Sequence, residues 1–222
     1  MTAAGGGEAL YAERRRWMVE EQIRARGVRD PRVLQAMAEV PRHLFVDERH
    51  RDTAYEDIPL SIGHGQTISQ PYMVAAMTEG LELDGEERVL EVGTGSGYQA
   101  AVLGRLAREV FTVERIAPLA KEAARRLREL GYANVLVSTG DGTLGLPEHA
   151  PFHRVLVTAA APALPRPLVA QLAEGGIIVA PVGNSRLVQT LVVGRKVGGR
   201  LVTREMWGCV FVPLVGAEGY AA

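Results

Sequence analysis

The 222-residue chain holds one cysteine, Cys209, which leaves no material for an intramolecular disulfide or a cysteine-based zinc cluster. It also lacks a charge excess: 25 Lys and Arg stand against 26 Asp and Glu, a formal net charge of −1, and the two signs interleave along the chain. That balance excludes the broad basic surface used to neutralise many phosphates, so nucleic acid is not expected as a partner. No run approaches the ~20 consecutive apolar residues of a membrane helix, and Met1 to Gly7 has neither the charged start nor the apolar stretch of a secretory signal. A cytoplasmic monomer without a membrane partner is expected. Of His43, His64, His149 and His153 only the last two stand four apart, and Pro151 between them argues against a helical metal pair; all four read as surface or packing residues, and no metal is expected.

What is present is apolar material for one sizeable core, at 47% hydrophobic residues. Residues 1–7 read as a flexible tail. Residues 8–84 read as a charged helical extension without evident strands, with helices at Glu8 to Arg26, Asp30 to Glu39 and Pro71 to Leu81. Ile58 to Gln70, IPLSIGHGQTISQ, interrupts this pattern with glycines and small hydroxyl residues, as an ordered loop would. After Asp84, short apolar runs alternate with helices, which marks βαβ units around a parallel sheet. Strands fit Arg88 to Val92, Val110 to Val113, Val135 to Ser138, Arg154 to Thr158 and Gly176 to Pro181. One helix starts at Pro118 and stops at Gly131; another spans Pro165 to Ala173. Leu187 to Leu214 reads as two strands turning at Gly198 and Gly199, in an order the sequence leaves open. The expectation is an α/β fold: a doubly wound, mostly parallel seven-stranded sheet over 85–216 with a C-terminal antiparallel hairpin, the N-terminal helical extension, and a short tail over 217–222.

The sharpest motif is VLEVGTGSGY, Val89 to Tyr98, an apolar strand running into Gly93, Gly95 and Gly97 and then a helix. Such spacing lets the backbone turn tightly and approach a ligand at the end of the first strand. The second strand ends at Glu114, 21 residues beyond Gly93, where a carboxylate can accept both hydroxyls of a ribose. The dinucleotide fingerprint places its third glycine sixth; here Gly97 is fifth and Tyr98 sixth, a departure from NAD binding. Glu91, at the strand end, sits badly beside a pyrophosphate and suits a cofactor carrying an ammonium group. The nucleoside of S-adenosyl-L-methionine is the better match.

This loop with its acidic strand end resembles motif I of the class I methyltransferases, and the whole sequence is similar to the protein-L-isoaspartate O-methyltransferase family. The likeness is carried by GHGQTISQPYMVAAMTE (Gly63 to Glu79), VLEVGTGSGYQAAVL (Val89 to Leu103), VERI (Val113 to Ile116), GDG (Gly140 to Gly142), VTAAAP (Val157 to Pro162) and FVPL (Phe211 to Leu214). The resemblance implies a repair enzyme that methylates the isoaspartyl α-carboxylate of damaged proteins and peptides, giving a methyl ester that collapses to succinimide and leaving S-adenosyl-L-homocysteine. It implies that Glu91, Gly93, Thr94, Gly95, Ser96, Gly97, Glu114 and Arg115 shape the cofactor site, with Asp141 and Gly142 meeting the adenine. Thr143 departs from the aromatic residue of many relatives. Asp141-Gly142 alone reads equally well as a tight turn.

On the substrate side the resemblance assigns Ser69 to the reactive carboxylate, with Thr67, Ile68 and Gln70 around it. The residues themselves offer another reading, Ser69 as N-cap of the following helix, whose free N–H groups would also favour an anion. An isoaspartyl α-carboxylate, with a reference pKa of roughly 3.5, is already ionised near neutral pH and needs no general base. An amine substrate would need one, and His64 alone stands near the loop. Cys209, in the apolar WGCVFV, reads as a small buried residue rather than a nucleophile. The arginines of Arg14 to Arg16 and Arg125 to Arg128 read as solvated helix faces.

Overall fold

The computed structural model describes residues 3–184 and 188–221; Met1, Thr2 and the expected strand start at Leu187 lie outside the described residues. Helix α1, Ala3–Trp17, starts inside the segment expected as a tail and continues through a π-helical turn, Met18–Ile23, and a 3-10 turn, Arg24–Arg26. Helix α2, Pro31–Glu39, opens on its proline, with the Asp30 carboxylate accepting the Arg32 N–H at 2.8 Å. The apolar stripes of this extension (Met18, Ile23, Val33, Met37) pack onto one face of the central sheet with Val89, Val110 and Leu103.

The expected loop is instead a hairpin: β1, Leu60–Gly63, pairs antiparallel with β2, Gln66–Ile68. Strands of three and four residues are too short for period-2 alternation to announce itself, and the glycines that mark a loop here form the hairpin tip. Helix α3, Pro71–Glu79, follows directly. The main sheet then runs through β3 (Arg88–Val92), α4 (Tyr98–Gly104), β4 (Glu109–Glu114), α5 (Ala117–Glu129), β5 (Val135–Thr139), β6 (Phe152–Val157), α6 (Arg166–Gln171), β7 (Leu172–Val182), β8 (Gln189–Val197) and β9 (Arg200–Cys209). Its order is β5-β4-β3-β6-β7-β8-β9, with the first five strands parallel and the last two antiparallel, so β9 forms the edge. Helix α6 is shorter than expected because β7 begins at Leu172. Leu172 pairs with Phe152 and Ile177 with Arg154, a register shift that takes up residues 173–176.

Both faces of the central strands are covered, as a parallel sheet requires: Leu90, Val92, Phe111, Val155 and Ile178 fill the side opposite the helical extension. The chain builds outward from β3 through β4 to β5, then crosses to β6 on the other flank of β3. The carboxyl ends of β3 and β6 therefore diverge at a topological switch point, where open α/β sheets bind ligands. Residues 217–220, expected as a tail, are tied back: the Ala217 N–H donates to Asp141, and the Tyr220 N–H to the Leu214 carbonyl at 2.7 Å. Among the described residues no helix is long and apolar enough to cross a membrane.

Candidate functional site

Beyond β3 the Gly93 N–H returns to the Val113 carbonyl and the Thr158 N–H to the Val92 carbonyl, each at 2.9 Å, so both ladders hold up to the start of the glycine loop. Gly93 has φ 99°, and a Cβ there would lie 2.4 Å from the Thr158 hydroxyl oxygen. Only glycine meets both demands. Thr158 fastens this crossing by donating to the Gly93 carbonyl at 2.7 Å.

Three cavities open along this line. The first, about 400 Å³, is walled by Gly93, Thr94, Gly95 and Ser96 on one side and by Thr67, Ile68 and Ser69 on the other. The second, about 520 Å³, shares Gly93 and adds Val92, Glu114, Arg115, Ile116, Gly142 and Leu214. The third, about 710 Å³, shares Thr67, Ser69 and Thr158 with the first and extends between Gln70, Met73 and Val210 to Val212. The shared residues make one track with Gly93 at one junction and Ser69 at the other.

In the second cavity Glu114 is fixed by two backbone donors, the Gly95 N–H at 3.0 Å and the Ile116 N–H at 2.9 Å, one to each oxygen. Each carboxylate oxygen keeps a lone pair for a further donor such as a ribose hydroxyl. Gly142 forms part of the wall, where a Cβ would come within 2.6 Å of Val92 Cγ1. Asp141 lines none of the three cavities: its carboxylate accepts the Thr143 N–H and hydroxyl and the Ala217 N–H. Burial raises the Asp141 carboxyl, but those bonds and the charge of Arg115 outweigh it and hold it below the ordinary carboxylate range. Asp141 thus caps the tight turn that begins at Gly142. Thr143, fully buried in the same network, presents nothing to the cavity.

Glu91 is fully buried on β3, and neither carboxylate oxygen has a hydrogen-bond partner among the described residues. Burial pushes its carboxyl up to about 8; the nearby Thr112 hydroxyl opposes this and the charge of Glu114 adds to it. The Thr112 hydroxyl is itself 2.6 Å from that of Thr94 in the glycine loop. Glu91 and Gly97 stand behind the cavity walls rather than in them, Gly97 as the N-cap of α4.

On the substrate side, the N-cap of α3 is Gln70 and not Ser69. Pro71 has no N–H and that of Tyr72 is taken by the Asp57 carboxylate at 2.9 Å, so little of the helix terminus is left for an anion. The hydroxyls of Ser69 and Thr67 make no hydrogen bond among the described residues, and both open onto the track. Thr158, Met73, Ile116 and Pro213 to Val215 also line it. Their motifs, VTAAAP and FVPL, are legible in the sequence, but nothing in residue type alone gave them a role.

Of the other candidates, His64 is exposed at the hairpin tip and lines none of the three cavities. His43 is buried and stacked 4.0 Å from Tyr11, and His149 stacks on Phe111, as packing residues do. Burial pushes the Cys209 thiol up to about 11. Two arginines are not the solvated residues expected. Arg126 donates to the Ser96 carbonyl at 2.8 Å, and Arg15 to the Ala38 carbonyl at 2.7 Å, because one helix face turns toward the glycine loop and the other toward the last turn of α2.

The family model described as Protein-L-isoaspartate(D-aspartate) O-methyltransferase (PCMT) matches residues 13–219. The protein-L-isoaspartate O-methyltransferase 2 of Pelobacter propionicus is 57% identical over 208 residues, 93% of this chain and 92% of the relative. The protein-L-isoaspartate O-methyltransferase of Syntrophus aciditrophicus is 52% identical over 214 residues, 95% and 98% of the two chains. Among solved structures, a protein-L-isoaspartate O-methyltransferase superimposes with a TM-score of 0.84 at 32% identity, covering 94% of this chain and 67% of that one. A Plasmodium falciparum chain described as a beta-aspartate methyltransferase (PCMT) in complex with S-adenosyl-L-homocysteine gives 0.78 at 25% identity, covering 90% and 98%.

Proposed function

The chain belongs to the protein-L-isoaspartate(D-aspartate) O-methyltransferase family and is a protein-repair methyltransferase; from that premise we propose how its track divides between cofactor and substrate. S-adenosyl-L-methionine supplies, when bound, a methyl group on a sulfonium sulfur, and leaves as S-adenosyl-L-homocysteine. The residues fit it: Glu91 carries a buried carboxyl without a hydrogen-bond partner behind the cavity wall, whose ionised form an ammonium group would favour, and Glu114 keeps acceptor capacity for ribose hydroxyls. Gly93, Thr94, Gly95 and Ser96 would bound the amino-acid side, with Gly97 shaping the turn; Glu114, Arg115 and Gly142 would bound the nucleoside, with Asp141 holding the turn that presents Gly142.

The isoaspartyl α-carboxylate enters from the third cavity and reaches Ser69 and Thr67, with Ile68 and Gln70 beside them. It arrives ionised, so the site needs to hold it rather than deprotonate it. Neutral hydroxyls satisfy a desolvated carboxylate without the quenching that a paired arginine would bring. Ile68 and Met77, both buried, keep water from the first cavity. The proposal includes a cytoplasmic monomer, the location resting on a chain with a single, free cysteine.

The observation that carries this reading is the junction: Thr67, Ser69 and Thr158 belong to the first and third cavities at once. Ser69→Ala is expected to lower kcat/KM for an isoaspartyl peptide by roughly 10- to 100-fold, the scale of one hydrogen bond to a charged group, with cofactor affinity unchanged. Full turnover in that variant sinks the assignment. In wild type, labelled S-adenosyl-L-methionine is expected to give a base-labile methyl ester on the isoaspartyl peptide and not on its aspartyl twin.

A further inference from the structure

Thr67, on β2, and Ser69, just after it, serve the substrate only if that segment is held in place, and β2 belongs to a two-stranded hairpin outside the main sheet. The restraint comes from Asp57, in the segment before β1. One of its oxygens accepts the Tyr72 N–H at 2.9 Å, in the first turn of α3. The other accepts the Gln70 side-chain amide at 3.0 Å and pairs with the Arg26 guanidinium. Arg26 also lies over the Tyr72 ring, 3.6 Å from its centroid, and Tyr72 packs against Trp207 of β9. A carboxylate with 18% of its side chain exposed thus caps the helix from outside and grips the residue next to Ser69. Because Asp57 provides this cap, the Ser69 hydroxyl is spared the task.

Building on the reading of residues 66–71 as the substrate loop, we propose that Asp57 is a positioning residue for the reaction: it sets the placement of Ser69 and Gln70 through the Gln70 amide and the Tyr72 N–H, with Arg26 holding its carboxylate in register. Its effect is on the peptide and not on the cofactor, since its partners Gln70, Tyr72 and Arg26 lie apart from the walls of both the first and the second cavity.

The test is initial-rate kinetics on an isoaspartyl peptide together with calorimetric binding of S-adenosyl-L-homocysteine. Asp57→Ala is expected to raise the peptide KM by roughly tenfold, the low end for removing a charged acceptor, while the homocysteine Kd stays within about twofold. Asp57→Asn, which keeps an acceptor for Tyr72, is expected to recover part of the KM. Asp57→Ala combined with Gln70→Ala is expected to be no worse than the poorer single variant, because both remove the same bond. An unchanged peptide KM, a KM and Kd that rise together as a merely structural role predicts, or fully additive effects overturn the proposal. Should Asp57→Ala fail to fold, Arg26→Ala, at a half-exposed side chain, is expected to raise the peptide KM severalfold, and an unchanged KM there overturns it equally. Ser69→Ala in parallel separates the two readings. Loss of peptide turnover there with no effect at Asp57 removes only the present proposal, and full turnover there removes the assignment of the loop.

Discussion

Replacing Glu91 with glutamine isolates the effect of a buried carboxyl whose oxygens have no protein partner. Its pKa rises from 4.5 to about 8 in the folded chain because burial disfavours the charged form. Between those values the unfolded chain releases this proton and the folded chain keeps it, so unfolding free energy falls as pH rises through that window and levels off above about 8. At 1.36 kcal/mol per unit, the shift sets an upper bound of roughly 4 to 5 kcal/mol, which for a domain of this size corresponds to about 10 °C in Tm. Glu91→Gln has no such proton. The difference in Tm between variant and wild type, scanned by calorimetry from pH 5 to 9 without ligand, should widen steadily in favour of the variant up to about 8 and then stay constant. Taking the difference cancels every other titration. If a ligand ammonium lies beside Glu91 as proposed, it favours the ionised form, so wild type should gain more Tm from S-adenosyl-L-homocysteine than the variant does. Parallel Tm curves across the whole pH range would refute the burial argument, and equal ligand-induced gains would refute the assignment to the ammonium.

Gly93→Ala must place a Cβ 2.4 Å from the Thr158 hydroxyl at φ 99°, and should cost on the order of 1 to 3 kcal/mol in urea unfolding; adding Thr158→Ala should recover part of that loss. Arg126→Ala releases the Ser96 carbonyl and should weaken S-adenosyl-L-homocysteine binding severalfold by calorimetry, with peptide KM unchanged at saturating cofactor. Cys209, raised to about 11 by burial, should react with iodoacetamide at pH 8 roughly a hundredfold more slowly than free cysteine, and faster by about tenfold per pH unit until that value is reached.

The parallel core was legible because its signals are local and redundant: five apolar runs, Pro118 and Gly131 bracketing a helix, and a carboxylate where the second strand ends. The glycine loop was legible because only glycine permits its backbone. What stayed hidden depends on distant residues meeting. Ser69 looks like an N-cap until Asp57 is seen doing that work from across the chain. Thr158 looks like the end of a strand until its hydroxyl is seen clasping Gly93. The hairpin was hidden for another reason, since its strands lie below the length at which periodicity speaks.

The hairpin also explains what an enzyme without a general base must organise instead. Along β2, Gln66 lines the second cavity, Thr67 the junction and Ile68 the first cavity, so one short strand touches every part of the track. A slip of one residue would exchange these faces, placing an amide or an isoleucine where Thr67 now presents its hydroxyl. The register therefore has to be fixed from both ends. At one end Asp57 grips Gln70; at the other, the Ile62 side chain lies against Gly95, close enough that a Cβ there would meet it at 3.2 Å. Between them the tip turns through Gly63, His64 and Gly65, all at positive φ, with His64 at 53°. The one histidine beside the loop is thus explained by backbone shape. It closes the turn that leads into Thr67 and lines none of the three cavities.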